Sequence, residues 1–189
     1  MSPSAVILLH DGFEEMEAVA PIDLLRRADV AVTTASVHDE SLTVTGRNGI
    51  PILADAAFTD LDCGDFDALI LPGGPGIARH VRGNERVIGA VRRHFDAGRV
   101  TAAICAAPLV LKDAGILPGP SFTAHTSALE ALPEARTDLA VVEDGPLTTS
   151  RGAGTATAFA LAIVARLTGA STARTVAESI CLMPVGFDG

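Results

Sequence analysis

The sequence contains no tryptophan and no tyrosine, and aromatic residues make up only 4% of its 189 residues. A core with so few large rings must be built from Ala, Val, Leu and Ile, which is typical of helices packed on a buried parallel sheet. Hydrophobic residues account for 48% of the chain and charged residues for 20%, which excludes wholesale disorder. Because no linker, low-complexity stretch or internal repeat is visible, we predict one domain over residues 1–189.

Basic residues are also scarce, with 14 Lys and Arg against 23 Asp and Glu, so the formal net charge is −9. A polyanion would be repelled at long range, and a nucleic-acid partner is therefore not expected. The longest apolar stretch, ATAFALAIVARL, is interrupted by Arg166 and falls short of a membrane span. The first residues, MSPSAVILL, lack the basic region and cleavage site of a signal peptide, and they indicate a first strand.

The chain has only three cysteines, and their spacing fits neither a disulfide framework nor a zinc site. Unpaired thiols are typical of a reducing compartment, so we predict a cytoplasmic protein. The sequence has neither a phosphate-binding P-loop nor GxGxxG in its usual place after the first strand. We therefore expect no metal and no nucleotide or nicotinamide cofactor.

Short apolar runs alternate with amphipathic segments along the chain. AVILL at residues 5–9, VAVTTASV at 30–37 and VTAAIC at 100–105 are typical of buried strands. Strands that alternate with helices imply right-handed βαβ crossovers. The sequence therefore predicts an α/β fold with a mostly parallel central sheet and helices on both faces.

Proline and glycine refine this prediction. Pro21 falls within a helical pattern, where it cannot donate to the carbonyl four residues earlier, so a kink or restart is expected there. Small hairpins are expected within residues 42–54 and 141–149. The last long helix is predicted to run from about Thr155 to Leu167.

Three loops follow predicted strands at the edge where parallel sheets bind ligands. They are HDGFEEME after the first strand, LPGGPG after the strand that includes residues 69–71, and CAAP after the strand that begins at Val100. Because the carboxyl ends of parallel strands meet at one edge, we expect these loops to converge on one crevice.

Cys105 carries the most specific chemical signal. It ends a strand, and the small residues Ala106 and Ala107 allow the sharp bend that a nucleophile on a strand-to-helix turn requires. The amides at the start of the next helix would then point at the sulfur, which predicts a lowered thiol pKa. The alternative is a buried structural cysteine, since cysteine is among the most buried residue types. Cys63 and Cys181 lack this context and are expected to be inert.

Two other features are expected to reach the same crevice. Gly73 and Gly74 allow close approach of backbone amides, which suits an oxyanion or carboxylate. Glu17, beside the break expected from Pro21, is predicted to project toward Cys105 and, once protonated, to donate a hydrogen bond to the sulfur. Glu14 and Glu15 are expected to form a solvated first helical turn.

The histidines divide into one candidate and four others. His125, in FTAHTS after an expected strand, is a candidate base or polar site residue. The remaining histidines have no comparable context and are expected at the surface: His10, His38, His80 and His94.

Taken together, these features resemble a known family. The chain resembles the ThiJ/PfpI superfamily, in the branch of the parkinsonism-associated protein deglycase and its bacterial relatives. The matching stretches are DGFEEMEAVAPIDLLRRA, FDALILPGG, AAICAAP, TAH and LTTSRGAGTATAFALAIV, in order from residue 5 to about 170. The residues from Met183 onward find no match. The resemblance implies a flavodoxin-like sandwich and a homodimer.

The resemblance also assigns roles to individual residues. It implies that Cys105 is the nucleophile and oxidation site, with Glu17 as a protonated carboxyl beside it and His125 nearby. It implies an anion-binding pocket formed by the amides of Gly74 and Ala106.

Other positions match the family less closely or carry weaker implications. Arg27 and Arg47 match family arginines close to the pocket or the dimer seam. The family often has Gly where this chain has Ala107, which narrows the turn. No acidic residue is evidently placed to orient His125, so a full Cys-His-acid triad is not expected.

The resemblance implies a cofactor-independent, thiol-dependent enzyme that converts 2-oxoaldehydes such as methylglyoxal, or their adducts on protein. A second hypothesis is a redox sensor or stress-response chaperone in which Cys105 oxidises to a sulfinate. Both hypotheses need the same thiolate and the same carboxyl, so the sequence leaves them open. A glutamine-amidotransferase-like hydrolase would need a later His-x-Glu pair, which the chain lacks.

Overall fold

Runs of Ala, Val, Ile and Leu form the sheet at the centre of the computed structural model, which describes residues 2–38 and 41–182. The strands are β1 Ser4–Leu9, β2 Ala31–Ser36, β3 Thr43–Thr45, β4 Pro51–Leu53, β5 Ala56–Ala57, β6 Ala68–Leu71, β7 Val100–Ile104, β8 Val141–Asp144 and β9 Leu147–Ser150. Seven of them form the central sheet in the order β5-β2-β1-β6-β7-β9-β8, and all neighbours in it are parallel except β8 and β9. A separate antiparallel ribbon pairs β3 with β4.

Helices cover both faces of the sheet. They are α1 Glu15–Arg27, α2 Glu85–Asp96, α3 Pro108–Asp113, α4 Ala156–Thr168 and α5 Ala170–Ser179. Side chains alternate along β1, so that Val6 and Leu8 pack toward α2 and α3, whereas Ile7 packs toward α1 and α4. Burying each such aliphatic side chain contributes about 1.5–3 kcal/mol, which makes these two apolar layers the main source of stability.

The predicted α/β fold with a mostly parallel sheet is confirmed, as are both hairpins. The helix predicted to break near Pro21 instead runs from Glu15 to Arg27 without interruption. The strand expected before His125 is absent, because residues 121–125 have no regular structure. No helix in the described part of the chain is long and apolar enough to cross a membrane.

The fold brings the three predicted loops to one edge of the sheet. β1, β6 and β7 are parallel neighbours, and residues 10–14, 72–76 and 105–107 follow their carboxyl ends. Backbone hydrogen bonds join the first two loops, since the Glu14 N–H donates to the Gly73 carbonyl at 3.1 Å. The candidate site lies where these loops meet.

Candidate active site

Cys105 lies on a strained turn between β7 and α3. Its φ of 66° is in the left-handed region, which residues with a side chain rarely adopt unless surrounding structure enforces it. Here the Cys105 N–H donates to the Ser150 carbonyl, and the Cys105 carbonyl accepts from the His125 N–H, both at 2.9 Å. Hydrogen bonds on both sides of the residue therefore hold the sharp elbow that the sequence predicts.

Glu17 lies beside Cys105 and is completely buried. Its Oε2 accepts a hydrogen bond from the Gly73 N–H at 2.9 Å, whereas its Oε1 is a buried atom with no hydrogen-bond partner among the described residues. Gly73 is required by space: a Cβ there would lie 2.7 Å from Cys105 Cβ and 2.8 Å from Glu17 Oε2. Buried polar atoms nearly always have a hydrogen-bond partner, so an Oε1 that lacks one among the described residues indicates a functional site.

Cys105 and Glu17 each alter the pKa of the other. Burial raises the pKa of Glu17 to about 7, although hydrogen bonds with Cys105 and the Gly73 N–H oppose this. Burial raises the pKa of the Cys105 thiol to about 12; the negative charge of Glu17 adds to this rise. The prediction of a lowered pKa for the Cys105 thiol is therefore wrong, because burial and the charge of ionised Glu17 raise that pKa instead. Between these values the pair holds one proton, and a thiolate forms when that proton sits on Glu17.

Backbone amides supply the opposing effect. The N–H groups of Gly74 and Ala106 donate to the Cys105 sulfur and lower its thiol pKa, though less than burial and Glu17 raise it. Gly74 has a φ of 106°, and a Cβ there would lie 2.4 Å from the Gly12 carbonyl oxygen. Only glycine fits this position, so the loop after β6 can turn its amide toward the sulfur.

The pocket around Cys105 has a volume of about 440 Å³. It brings together the predicted site residues Cys105, Glu17 and His125 with Gly74, Ala106 and Arg47. The other lining residues are Glu14, Asn48, Pro75, Ser127 and Ala153. Arg27 does not line the pocket: it lies in the last turn of α1, where its Nε donates to Asp23 at 3.0 Å.

Glu14 and Glu15 are buried, so the prediction of a solvated first turn is wrong. Glu14 caps α1 by accepting the Glu17 N–H at 3.0 Å. The Glu15 carboxylate accepts from the Asn48 backbone N–H at 2.6 Å and from its side-chain amide at 2.8 Å. These bonds fasten the turn of the β3–β4 ribbon over the start of α1 and bring Arg47 to the pocket. Glu is not among the residues preferred at helix N-caps, so the local sequence gives little signal for this cap.

Two histidines expected at the surface, His10 and His94, are also buried. The His10 ring lies 3.2 Å from the Asp11 carbonyl and 3.4 Å from the Pro72 carbonyl, and burial lowers its pKa to about 4. The candidate His125 is exposed at the pocket mouth, and its Nδ1 lies 3.1 Å from the Ser127 N–H. Hydrogen bonds of the ring nitrogens allow His10 and His94 to be buried, which composition alone does not reveal.

These features define a class of protein: a flavodoxin-like α/β protein with a cysteine on a strand-to-helix elbow and a buried carboxyl beside it. The chain belongs to the DJ-1/PfpI family, whose model matches residues 3–166. The predicted family membership is confirmed.

Individual relatives agree with this assignment. Protein dj-1beta of Drosophila melanogaster is 38% identical over 184 residues, covering 95% of this chain and 97% of that protein. A deglycase of Thermococcus kodakarensis is 34% identical over 154 residues, or 79% of this chain and 90% of that protein. The crystal structure of Drosophila DJ-1beta aligns with a TM-score of 0.92 at 36% identity, covering 97% of this chain and 100% of that one. Oxidised Toxoplasma gondii DJ-1 aligns with a TM-score of 0.88 at 29% identity, covering 95% and 98%.

Proposed function

We propose that the chain is a thiol-dependent, cofactor-independent enzyme acting on 2-oxoaldehydes such as methylglyoxal, or on their adducts with amino groups. The observation that carries the proposal is the buried Glu17 carboxyl beside Cys105, with its Oε1 unpartnered among the described residues. A pKa raised to about 7 suits a group that must both give and take a proton near neutral pH. The deglycase name of one relative supports the same chemistry.

The proposed reaction begins with attack of the Cys105 thiolate on the aldehyde carbon. A carbon–sulfur bond forms, the carbonyl oxygen takes the proton held by Glu17, and a hemithioacetal results. The Gly74 and Ala106 amides, which donate to the sulfur in the resting protein, stabilise negative charge as it develops beside it.

Glu17, now a carboxylate, removes the proton from the former aldehyde carbon and returns it to the neighbouring carbon, while the hydroxyl proton of the hemithioacetal passes to the former ketone oxygen. The substrate is thereby oxidised at one carbon and reduced at the other, so no external oxidant or reductant is needed. The product is a thioester of a 2-hydroxy acid. Water hydrolyses the thioester, which releases the acid and restores the Cys105 thiol.

The size of the pocket favours adducts among the possible substrates. A volume of about 440 Å³ lies within the range of about 300–1,000 Å³ that holds drug-sized ligands. A three-carbon aldehyde fills only part of this space, which leaves room for the amino-acid part of an adduct. Arg47 adds a positive charge to the lining and suits the carboxylate of such a molecule.

The experiment is a steady-state assay of wild type and Cys105→Ala against a panel of aldehydes, glycated amino acids and glycated peptides. We expect release of 2-hydroxy acid by wild type and none above background by the variant. Equal rates for the two proteins would contradict the proposal. A preference for glycated amino acids over free methylglyoxal would identify the adduct as the substrate.

A redox sensor is the second candidate, and the same amides favour it. Oxidation of Cys105 to a sulfinate would place negative oxygens near the N–H groups of Gly74 and Ala106 and a protonated Glu17. Peroxide titration followed by mass spectrometry tests this role. Oxidation of Cys105 at low peroxide in a protein without aldehyde turnover would favour the sensor over the enzyme.

We also propose a homodimer, which rests mainly on the family resemblance. The outer face of α1 supports it, because Met16 is 58% exposed and Val19 is 47% exposed. These side chains line a shallow apolar depression between α1 and the start of α4. Light scattering tests the proposal, since the monomer mass is 19.3 kDa and a dimer has twice that mass.

A further inference from the structure

The His125 ring is oriented by Ser127. Its Nδ1 lies 3.1 Å from the Ser127 backbone N–H and 2.9 Å from Ser127 Oγ. A backbone N–H can only donate, so Nδ1 must present its lone pair and accept. In a neutral imidazole the single ring proton then sits on Nε2. Ser127 therefore selects one tautomer of His125.

The His125 ring lines the pocket together with Cys105 and Glu17. Cδ2, which is bonded to Nε2, lies 3.3 Å from the point where a Cβ on Gly152 would lie. Glu17 Oε1 lies 3.8 Å from the same point. No described residue forms a hydrogen bond with Nε2, so this N–H is available to a bound molecule.

We propose that Ser127 is a positioning residue that holds neutral His125 as the Nε2–H tautomer, and that His125 donates a hydrogen bond to the ketone oxygen of a 2-oxoaldehyde. This inference rests on the proposed function and names the substrate atom that His125 contacts. Negative charge gathers on the ketone oxygen when Glu17 removes the proton from the adjacent carbon, and a preorganised donor stabilises that charge. The lone pair that a base needs is absent from Nε2 in this tautomer.

The decisive comparison is Ser127→Asp against Ser127→Asn, two side chains of nearly equal size. At a pH where the ring stays neutral, the carboxylate of Asp presents an acceptor to Nδ1 and moves the ring proton there, whereas the Asn amide can still donate. We expect kcat for methylglyoxal to fall about 10²–10³-fold in Ser127→Asp, the cost of one transition-state donor, and to stay within about tenfold in Ser127→Asn. An Asp that orients the ring would instead raise or preserve kcat if His125 were a base, and that result would overturn the proposal.

Two substitutions of the ring itself provide a second test. The amide nitrogen of His125→Gln reaches the position of Nε2 and keeps a donor, whereas His125→Asn is too short. We expect Gln to retain at least about tenfold more kcat than Asn, with a similar KM, because the donor acts in the transition state. Equal loss of kcat in the two variants would contradict a donor at Nε2.

The tautomer is measured separately from turnover by two-bond ¹H–¹⁵N correlation spectra of the histidine rings. We expect the Nε2–H pattern for His125 in wild type and Ser127→Asn, and the Nδ1–H pattern in Ser127→Asp. An Nδ1–H pattern in wild type would overturn the inference whatever the activity. Absence of turnover of both methylglyoxal and its amino-acid adducts in wild type would end the proposed function and the donor role with it, while the spectra would still decide whether Ser127 sets the tautomer.

Discussion

The two edges of the central sheet each hold a buried cysteine next to a titratable side chain, but the hydrogen bonding of the titratable group differs between them. At the amino edge, near the starts of β6 and β7, Cys63 and His94 line a cavity of about 230 Å³. Both nitrogens of the His94 ring have partners, Thr101 Oγ1 at 3.2 Å and the Phe66 carbonyl at 3.1 Å. At the carboxyl edge, Cys105 lies beside the Glu17 carboxyl, one oxygen of which has no hydrogen-bond partner among the described residues.

The thiol pKa alone does not separate the two edges. Burial raises the pKa of Cys63 to about 11, and burial together with Glu17 raises that of Cys105 to about 12. What differs is the strained φ of Cys105, the amides that point at its sulfur, and the Glu17 Oε1 atom, which lacks a partner in the described part of the chain. Satisfied hydrogen bonds and an unstrained backbone indicate a structural role for Cys63, whereas backbone strain and a polar atom without a described partner indicate a functional site at Cys105.

The largest expected effect separates the two cysteines by activity. Cys105→Ala should reduce methylglyoxal turnover to the rate without enzyme, because no other described thiol lies in the pocket. Cys63→Ala should keep turnover within about twofold and lose about 1–2 kcal/mol of unfolding free energy, since it removes one small buried group. Steady-state kinetics and urea unfolding measure both quantities. Loss of turnover in the Cys63 variant would break the distinction between the edges.

Glu17 should give the next largest effect. Glu17→Gln keeps a donor of similar shape but removes the transferable proton, so turnover should fall about 10²–10⁴-fold while the fold persists. Glu17→Asp keeps the acid with a shorter reach and should be intermediate. Turnover like wild type in Glu17→Gln would end the proton-shuttle proposal and leave Cys105 as a sensor thiol.

The pH dependence of alkylation should distinguish the thiols further. The pair of Cys105 and Glu17 loses its first proton near pH 7, where the pKa of Glu17 lies. Iodoacetamide should therefore react with Cys105 at a rate that rises through about pH 7 and then levels off. Cys63 has a pKa of about 11, so its rate should climb about tenfold per pH unit up to that value. A Cys181→Ser background removes the exposed thiol. Parallel profiles for the two cysteines would contradict a shared proton.

Much of this comparison could be predicted from local sequence. Short aliphatic runs predict the strands, and a cysteine followed by two alanines at a strand end predicts the elbow. The rule that parallel strands present their carboxyl ends together places Glu17 and Gly74 near Cys105. These predictions succeed because each depends on residues close together in the chain or on the topology of the sheet.

The errors share one cause, which is contact between segments remote in sequence. Glu15 is buried because Asn48, 33 residues later, donates to it. His94 is buried because it bonds to Phe66, 28 residues earlier. The helix start alone predicts a lowered pKa for the Cys105 thiol, whereas burial, and after it the charge of Glu17, raises that pKa against the effect of the amides. Local patterns do not contain these contacts.

The smallest expected effect is on the pH dependence of the unfolding free energy, to which Glu17 at one edge and His94 at the other contribute with opposite sign. Burial raises the pKa of Glu17 from 4.5 to about 7, so between these values the folded state holds a proton that the unfolded state releases. Its contribution to stability is complete below pH 4.5 and decreases as pH rises toward 7, by about 1.4 kcal/mol per pH unit and about 3 kcal/mol in all. Burial lowers the pKa of His94 below 6.5, which gives the opposite sign. The contribution of His94 to stability is complete above pH 6.5 and is lost as pH falls, because the imidazole binds a proton in the unfolded state at pH values where the buried ring does not.

The measurement is urea unfolding of wild type, Glu17→Gln and His94→Gln from pH 4.5 to 8. The free energy of unfolding of wild type minus that of Glu17→Gln should be largest at the acid end, and the corresponding difference for His94→Gln should be largest at the alkaline end. His10, whose pKa is lowered to about 4, is present in all three proteins and cancels in both differences. Differences that slope in the same direction would show that the carboxyl and the imidazole are not buried in opposite charge states, and the contrast between the two edges would fail.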